Sequence, residues 1–280
     1  MEKINNNSFD HFIITRFNLK NKDWTLDKNA NNICDEEWLK FRYEVFTKTC
    51  YNSIKNQDVK NFKWLVYFDT NTPELYKDIN KKLHTDFPLF TPLYRDSNQQ
   101  FLDNLADDIK SLTTKDYIIT TRIDNDDAFH YKAIETIQKE FDFQEEVIIN
   151  LPWIICFDML KKRMSKHYFV SNPFISLIEK KTIETFKTVF SKQHNEWRKS
   201  NEIININDKK PYCFQLIHER NICNNMQGQY INDNFIAKHF NLLLDVSTSI
   251  FYPLFVLKNK SIIYIKRIQK FVFKVLKNRI

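Results

Sequence analysis

Apolar and polar positions follow two rhythms along the first half of this chain. Three runs are nearly continuous in apolar and β-branched residues: His11-Phe12-Ile13-Ile14-Thr15-Arg16-Phe17, Phe62 to Phe68, and Tyr117-Ile118-Ile119-Thr120-Thr121-Arg122-Ile123. Such runs predict buried strands, and Phe87 to Leu93 predicts a further short one. Between them the spacing turns helical. Trp38, Phe41, Val45, Cys50 and Ile54 place a helix over Glu36 to about Gln57, with Asp35 as its cap. Thr72-Pro73-Glu74 opens a second, with Thr at the cap and Pro in the first turn. Asn98 to Leu112 predicts a third, and about Phe129 to Phe141 a fourth.

This β-α-β-α-β-α order predicts an α/β fold with a mainly parallel central sheet covered by helices. Ligands in such sheets bind at the carboxyl ends of the strands. Arg16, Asp69 and the run Asp124-Asn125-Asp126-Asp127 would share that edge. The second half is less regular. Val147 to Leu151, Ile154 to Phe157 and Tyr168 to Val170 predict strands in antiparallel pairs, Ile183 to Val189 a helix, and Tyr212 to Ile217 a strand ending at His218. No internal repeat or Pro/Gly-rich linker divides the chain, which predicts one domain over 1–255 with halves at about 9–142 and 143–255.

Composition excludes several function classes. Of 280 residues, 42% are hydrophobic and 15% aromatic, too many for a disordered chain. The single glycine, Gly228, cannot build a dinucleotide-binding loop or a P-loop, which rules out Rossmann dehydrogenases, kinases of the usual kind and P-loop NTPases. Five cysteines without short paired spacing offer neither a zinc ribbon nor a CxxC redox motif. The polar start Met1-Glu2-Lys3-Ile4-Asn5-Asn6-Asn7 is unlike a signal peptide, and no run of about 18 apolar residues occurs. A reducing cytoplasm is the expected location.

The net charge of +7 is unevenly spread, because residues 258–280 carry eight Lys and Arg and no Asp or Glu. The rest of the chain is therefore close to neutral, which argues against a nucleic-acid partner. Treated as a helix, 256–280 gathers Lys266, Arg267, Lys270, Lys274 and Lys277 in roughly one 100° wedge, opposite Ile265, Ile268, Phe271, Val272, Val275 and Leu276. A basic amphipathic helix of this kind lies on an anionic membrane surface or docks its apolar face on the protein body.

The acidic run carries the candidate chemistry. Three carboxylates at one strand end repel unless something positive sits among them. Mg²⁺ or Mn²⁺ held by one or two carboxylates plus phosphate oxygens is the usual solution; a solvated turn capping the next helix is the bland one.

A strand delivering Asp-x-Asp inside an N-terminal α/β unit resembles the nucleotide-sugar glycosyltransferases of the GT-A fold. More closely, the chain resembles the bacterial putative rhamnosyl transferase family. The resemblance is carried by His11 to Asn18, by Phe62-Lys63-Trp64-Leu65-Val66 with Asp69 and Thr72-Pro73, by Thr120 to Ala128, by Asn172-Pro173-Phe174, and by Ile217-His218-Glu219-Arg220-Asn221. In the family a glycine is expected after the late histidine, where Glu219 and Arg220 stand here.

The resemblance implies a metal-dependent hexosyltransferase of cell-surface polysaccharide synthesis, moving a sugar, rhamnose by the family's title, from a nucleoside diphosphate sugar to a saccharide or lipid-linked acceptor. Residues 9–142 would be the nucleotide-binding half and 143–255 a smaller, antiparallel acceptor half. Asp126 would bind the metal, Asp124 the metal or the ribose, and His218 the metal or the diphosphate. Arg16, Asn18, Asp69, Arg122 and Asn221 would contact the nucleotide sugar, with an Asp partner the competing role for Arg122. Metal Lewis acidity would stabilise the leaving diphosphate. An inverting reaction also needs a general base; Asp127, Asp158, Glu179 and Glu219 are open, with Asp127 and Glu179 named. The membrane-facing tail would keep the enzyme at the inner face of the plasma membrane.

Two other classes compete. A phosphatase or phosphotransferase would use Asp124 and Asp126 as nucleophile and acid/base, though Ala128 stands where such sites carry Thr or Val. A non-catalytic binding protein on a transferase scaffold is the other. An EF-hand is excluded, because Ala128 replaces a ligand and Phe129 the required glycine.

Overall fold

Four strands form the heart of the fold, the inner three of them buried on both faces. β1 (Phe9–Arg16), β2 (Lys63–Asp69), β3 (Phe90–Arg95) and β4 (Tyr117–Arg122) pair in parallel in the order β3-β2-β1-β4. The computed structural model describes residues 8–21, 35–170, 172–182, 186–199, 202–221, 225–233, 235–248 and 252–277; the side chains of residues 198, 263, 266, 267 and 270–277 lie outside that description.

Alternate residues of these strands pack to opposite sides. Phe12, Ile14, Leu65, Tyr67 and Ile118 meet Phe101, Leu105 and Ile109 of α4 (Asn98–Ser111). Ile13, Trp64, Val66, Phe68 and Ile119 face α1 (Glu36–Phe46), α3 (Glu74–Asp86) and α5 (Ala133–Gln138). Asp35 caps α1 through the Trp38 N–H, as expected, and the helix runs through a π-helical turn, Thr47–Tyr51, into α2 (Asn52–Lys55). At α3 the cap position is Pro73. Thr72 instead donates to the Asp69 carbonyl and tightens the turn after β2.

The other strands are β5 (Ala128–Phe129), β6 (Glu146–Asn150), β7 (Trp153–Asp158), β8 (Arg163–Tyr168), β9 (Ser176–Lys180), β10 (Ile203–Asn205), β11 (Cys213–Ile217) and β12 (Gln229–Tyr230). The central sheet has the order β10-β6-β9-β4-β1-β2-β3, antiparallel only where β9 enters. A second, mainly antiparallel sheet runs β12-β8-β7-β11-β5. Its Ile154, Cys156, Cys213 and Ile217 close the core against the first sheet. Its other face packs on α6 (Ile236–His239) and on Tyr252 and Val256 of α7 (Tyr252–Lys277).

Several elements differ from expectation. The helix expected from Phe129 shrinks to α5, because Ala128 and Phe129 pair with Phe214 and Cys213 of β11. The strand expected at Tyr168 to Val170 lies earlier, as β8, where it pairs antiparallel with β7. Of the helix expected over 183–189, residues 183–185 lie outside the description and 186–189 are not helical. There the Lys187 and Val189 N–H groups donate to Glu179 and Thr120 side chains rather than along a helix. The terminal helix starts at Tyr252, ahead of 256, and its basic wedge, Lys266 to Lys277, falls among side chains outside the description. Among the described residues no helix is long and apolar enough to cross a membrane.

Candidate active site

Parallel pairing brings the ends of β1, β2 and β4 to one edge, and with them Arg16, Asp69 and Arg122. Asn18 joins the first two strands: its Oδ1 accepts from the Asp69 N–H (3.1 Å) and its Nδ2 donates to Thr72 Oγ1 (3.1 Å). Asp69 Oδ1 accepts from the Asn71 N–H (2.7 Å), and Oδ2 lies 3.7 Å from Lys20 Nζ. Arg16 donates to Asn98 Oδ1 (3.0 Å), and the guanidinium groups of Arg16 and Arg122 lie 5.2 and 4.9 Å from the Phe190 ring centroid. Burial, followed by the charge of Arg122, pulls Arg16 down to about 10, with Asp124 opposing. Burial also lowers Arg122, again against Asp124. A base or ribose and an anionic group would both find partners along this edge.

The acidic turn is pinned by its own asparagine, since Asn125 Nδ2 donates to the Arg16 and Phe17 carbonyls (3.1 and 2.8 Å). That leaves three aspartates in three settings. Asp124 is half-buried beside the two arginines. Asp127 is fully buried; its Oδ1 accepts from the Leu216 N–H (2.9 Å), bracing β11, while Oδ2 has no partner. Burial and the charges of Asp126 and Asp124 push its carboxyl well up.

Asp126 is the hub. Its Oδ2 accepts from Arg42 Nη1 (2.5 Å) and Asn221 Nδ2 (2.8 Å) and lies 3.1 Å from His218 Nε2. Burial alone would raise this carboxyl, yet Arg42 and His218 outweigh it and hold Asp126 well below the usual range. His218 Nε2 is also 3.0 Å from Arg42 Nη1; it donates to Asp126 when protonated and accepts from Arg42 when not. Asn221 Oδ1 accepts the His218 N–H (2.6 Å), fixing the turn after β11. The cluster thus joins α1, the turn after β4 and the turn after β11.

Arg42 was not among the expected site residues. One signal existed: at helical spacing it sits between Trp38, Leu39 and Phe46, and an arginine on the buried face of a helix needs a counter-charge. Which counter-charge it finds, 84 residues on, is decided by the fold. His218 also lines a pocket of about 250 Å³ with Asp158, Lys161, Arg163, Glu219 and Tyr230.

Two expectations need correction. Glu179 does not reach this edge. On β9 it faces Ile118, near the amino end of β4, six residues short of Asp124 and so about 20 Å away at about 3.3 Å per residue. The residues also do not fit the expected divalent ion. Oδ2 of Asp126 is already held by Arg42, Asn221 and His218, and among the described residues no group of three or more His, Cys, Asp or Glu is arranged to hold a metal.

A family model described as Putative rhamnosyl transferase matches residues 9–229. The chain belongs to that family, and so to the glycosyltransferases. Among solved structures, S. aureus TarS 1-349 is similar at 13% identity and a TM-score of 0.42, over 74% of this chain and 60% of that one. The same protein in complex with UDP-GlcNAc aligns at 12% identity with a TM-score of 0.42, over 75% and 59%. An inositol-1-phosphate CTP transferase from T. maritima aligns at 12% identity with a TM-score of 0.29, over 75% and 85%. This chain therefore spans less than two thirds of TarS 1-349. No curated protein matches it at a significant level.

Proposed function

We propose that this glycosyltransferase takes its sugar, rhamnose by the family's title, from a nucleoside diphosphate sugar and passes it to a hydroxyl of a saccharide or lipid-linked acceptor in cell-surface polysaccharide synthesis. The observation that carries the reading is the convergence of Arg42, Asp126, His218 and Asn221 at the carboxyl edge of a parallel sheet, beside an open pocket. In a GT-A-like arrangement, Asn18 and Asp69 bind base or ribose, and Arg16, Arg122 and Asp124 hold the donor's polar atoms. His218 and Asn221 face the diphosphate. Charge developing on the leaving group is met by donors already oriented, so little reorganisation is needed during transfer.

The pocket beyond His218 takes the acceptor. Asp158 and Glu219 are the carboxylates that line it. Asp158 is the assigned base of an inverting transfer. It ends β7, is 8% exposed, and is oriented by the Lys161 N–H at its Oδ1 (2.8 Å). Asp127, buried and engaged by the Leu216 N–H, does not suit that role. The reading extends to location: cytoplasmic, with the tail on the inner face of the plasma membrane.

The test is to incubate the protein with a panel of nucleoside diphosphate sugars and measure the nucleoside diphosphate released. One donor should turn over, and Asp126→Asn should slow that reaction by about 100-fold, the scale of losing an oriented donor set. Asp158→Asn should lower kcat while donor affinity stays. Release of inorganic phosphate without sugar transfer would replace this reading with the phosphatase one.

A further inference from the structure

Carboxylates crowd one strand end, and the structure answers that crowding with side chains. Arg16 and Arg122 interact with Asp124, and Arg42 is seated on Asp126. Asp124 and Asp126 are thus each met by positive side chains before any ion is added.

We propose that Arg42 is the diphosphate-binding cation of this site, its guanidinium holding the position on Asp126 that a divalent ion would otherwise take. The inference rests on the nucleoside diphosphate donor proposed above. A guanidinium has five N–H donors. Nη1 serves Asp126 and His218, whereas Nε is buried without any hydrogen-bond partner. A buried donor left unmatched is costly, and an anion would satisfy it. The planar fork matches two phosphate oxygens at once, which a lysine cannot do.

Its surroundings hold it ready. The side chain is 13% exposed, so its charge acts in a medium far less polarisable than water. The Trp38 ring lies 5.1 Å from the guanidinium carbon and fixes its plane from one turn away on α1. A divalent ion on Asp126 Oδ2 would have to expel Arg42 and strand a buried positive charge. Asp126 is then a positioning residue: it aims Arg42 and His218, and its Oδ2 is consumed in doing so.

The experiment is calorimetric titration of the whole protein with nucleoside diphosphates of each common base, in excess EDTA and then in Mn²⁺ or Mg²⁺. The wild-type protein should bind one of them with affinities in EDTA and in metal that agree within about threefold. Arg42→Lys should weaken binding about tenfold and Arg42→Gln more, with no rescue by Mn²⁺, because a point charge or a neutral amide replaces a bidentate fork. Circular dichroism and melting of the lysine variant check its fold, and the wild-type comparison needs no variant at all. Binding that appears only with metal and vanishes in EDTA overturns the inference while leaving the donor reading intact. So does wild-type affinity in Arg42→Gln. If no nucleoside diphosphate binds under either condition, the donor reading falls and this inference with it.

Discussion

Glu179 and Asp126 are both buried carboxylates, and their neighbours drive them in opposite directions. Asp126 meets a guanidinium and goes down; burial pushes Glu179 up to about 8, against the Lys187 N–H and with the neighbouring charge of Glu146. In an unfolded chain a glutamate titrates near about 4.3. The folded state therefore holds an extra proton between about 4.3 and about 8. Stability from neutral Glu179 is complete below that window and is lost as pH rises through it. Glu179→Gln, neutral at every pH, should melt above the wild-type protein at pH 9 and close to it at pH 5, in thermal scans at matched ionic strength. Equal pH dependence of the two would refute the assignment. His11 works with the other sign: burial pulls it down to about 3, so its contribution is present above about 6.5 and fades as pH falls towards 3.

At the scale of elements, β8 and the segment entering β12 meet at the chain's single glycine. Gly228 has φ +85°, and a Cβ there would lie 2.4 Å from the Lys166 carbonyl oxygen and 2.8 Å from His167 Cβ. Backbone conformation and space both demand glycine. Gly228→Ala should cost about 2 kcal/mol or more, measured by urea unfolding. Because β12 leads to Tyr230 on the pocket wall, acceptor affinity should fall with it while nucleoside diphosphate binding is kept. The same scale explains why the helix expected after the acidic turn starts late. Asn125 holds the turn on β1 and Leu216 holds Asp127, so the chain leaves the first sheet directly into β5 of the second. One short turn thereby sets the spacing between the two sheets.

At the scale of the whole molecule, charge and apolar surface are divided unevenly. The first turns of α7 dock through Tyr252, whose hydroxyl donates to the Met164 carbonyl, and through Val256. Beyond them Leu257, Tyr264, Ile265 and Ile268 are exposed, on the segment that holds eight of the chain's Lys and Arg. At about 1 kcal/mol per basic residue near an anionic surface, the tail should carry the protein onto vesicles of anionic lipid. A truncation ending at Lys258 should stay in the supernatant when such vesicles are pelleted, and the full chain should not pellet with neutral ones. Equal pelleting of the truncation with anionic vesicles would remove the tail from this role.

What the chain's own order of residues determined is local and periodic. Apolar runs, helical spacing between them and the Asp35 cap foretold β1 to β4, α1, α3 and α4, and so the edge where Arg16, Asp69 and Asp124 to Asp127 meet. That succeeded because burial on one face of an element leaves a period of 2 or 3.6 in the sequence. Partnership between distant residues leaves no such period. Only the tertiary structure decided that Asp126 faces Arg42 and His218, that Asp127 braces β11, and that Glu179 lies at the wrong end of its strand. A carboxylate's role depends on which charges and dipoles the fold brings within a few ångströms, and those come from segments tens to more than a hundred residues away.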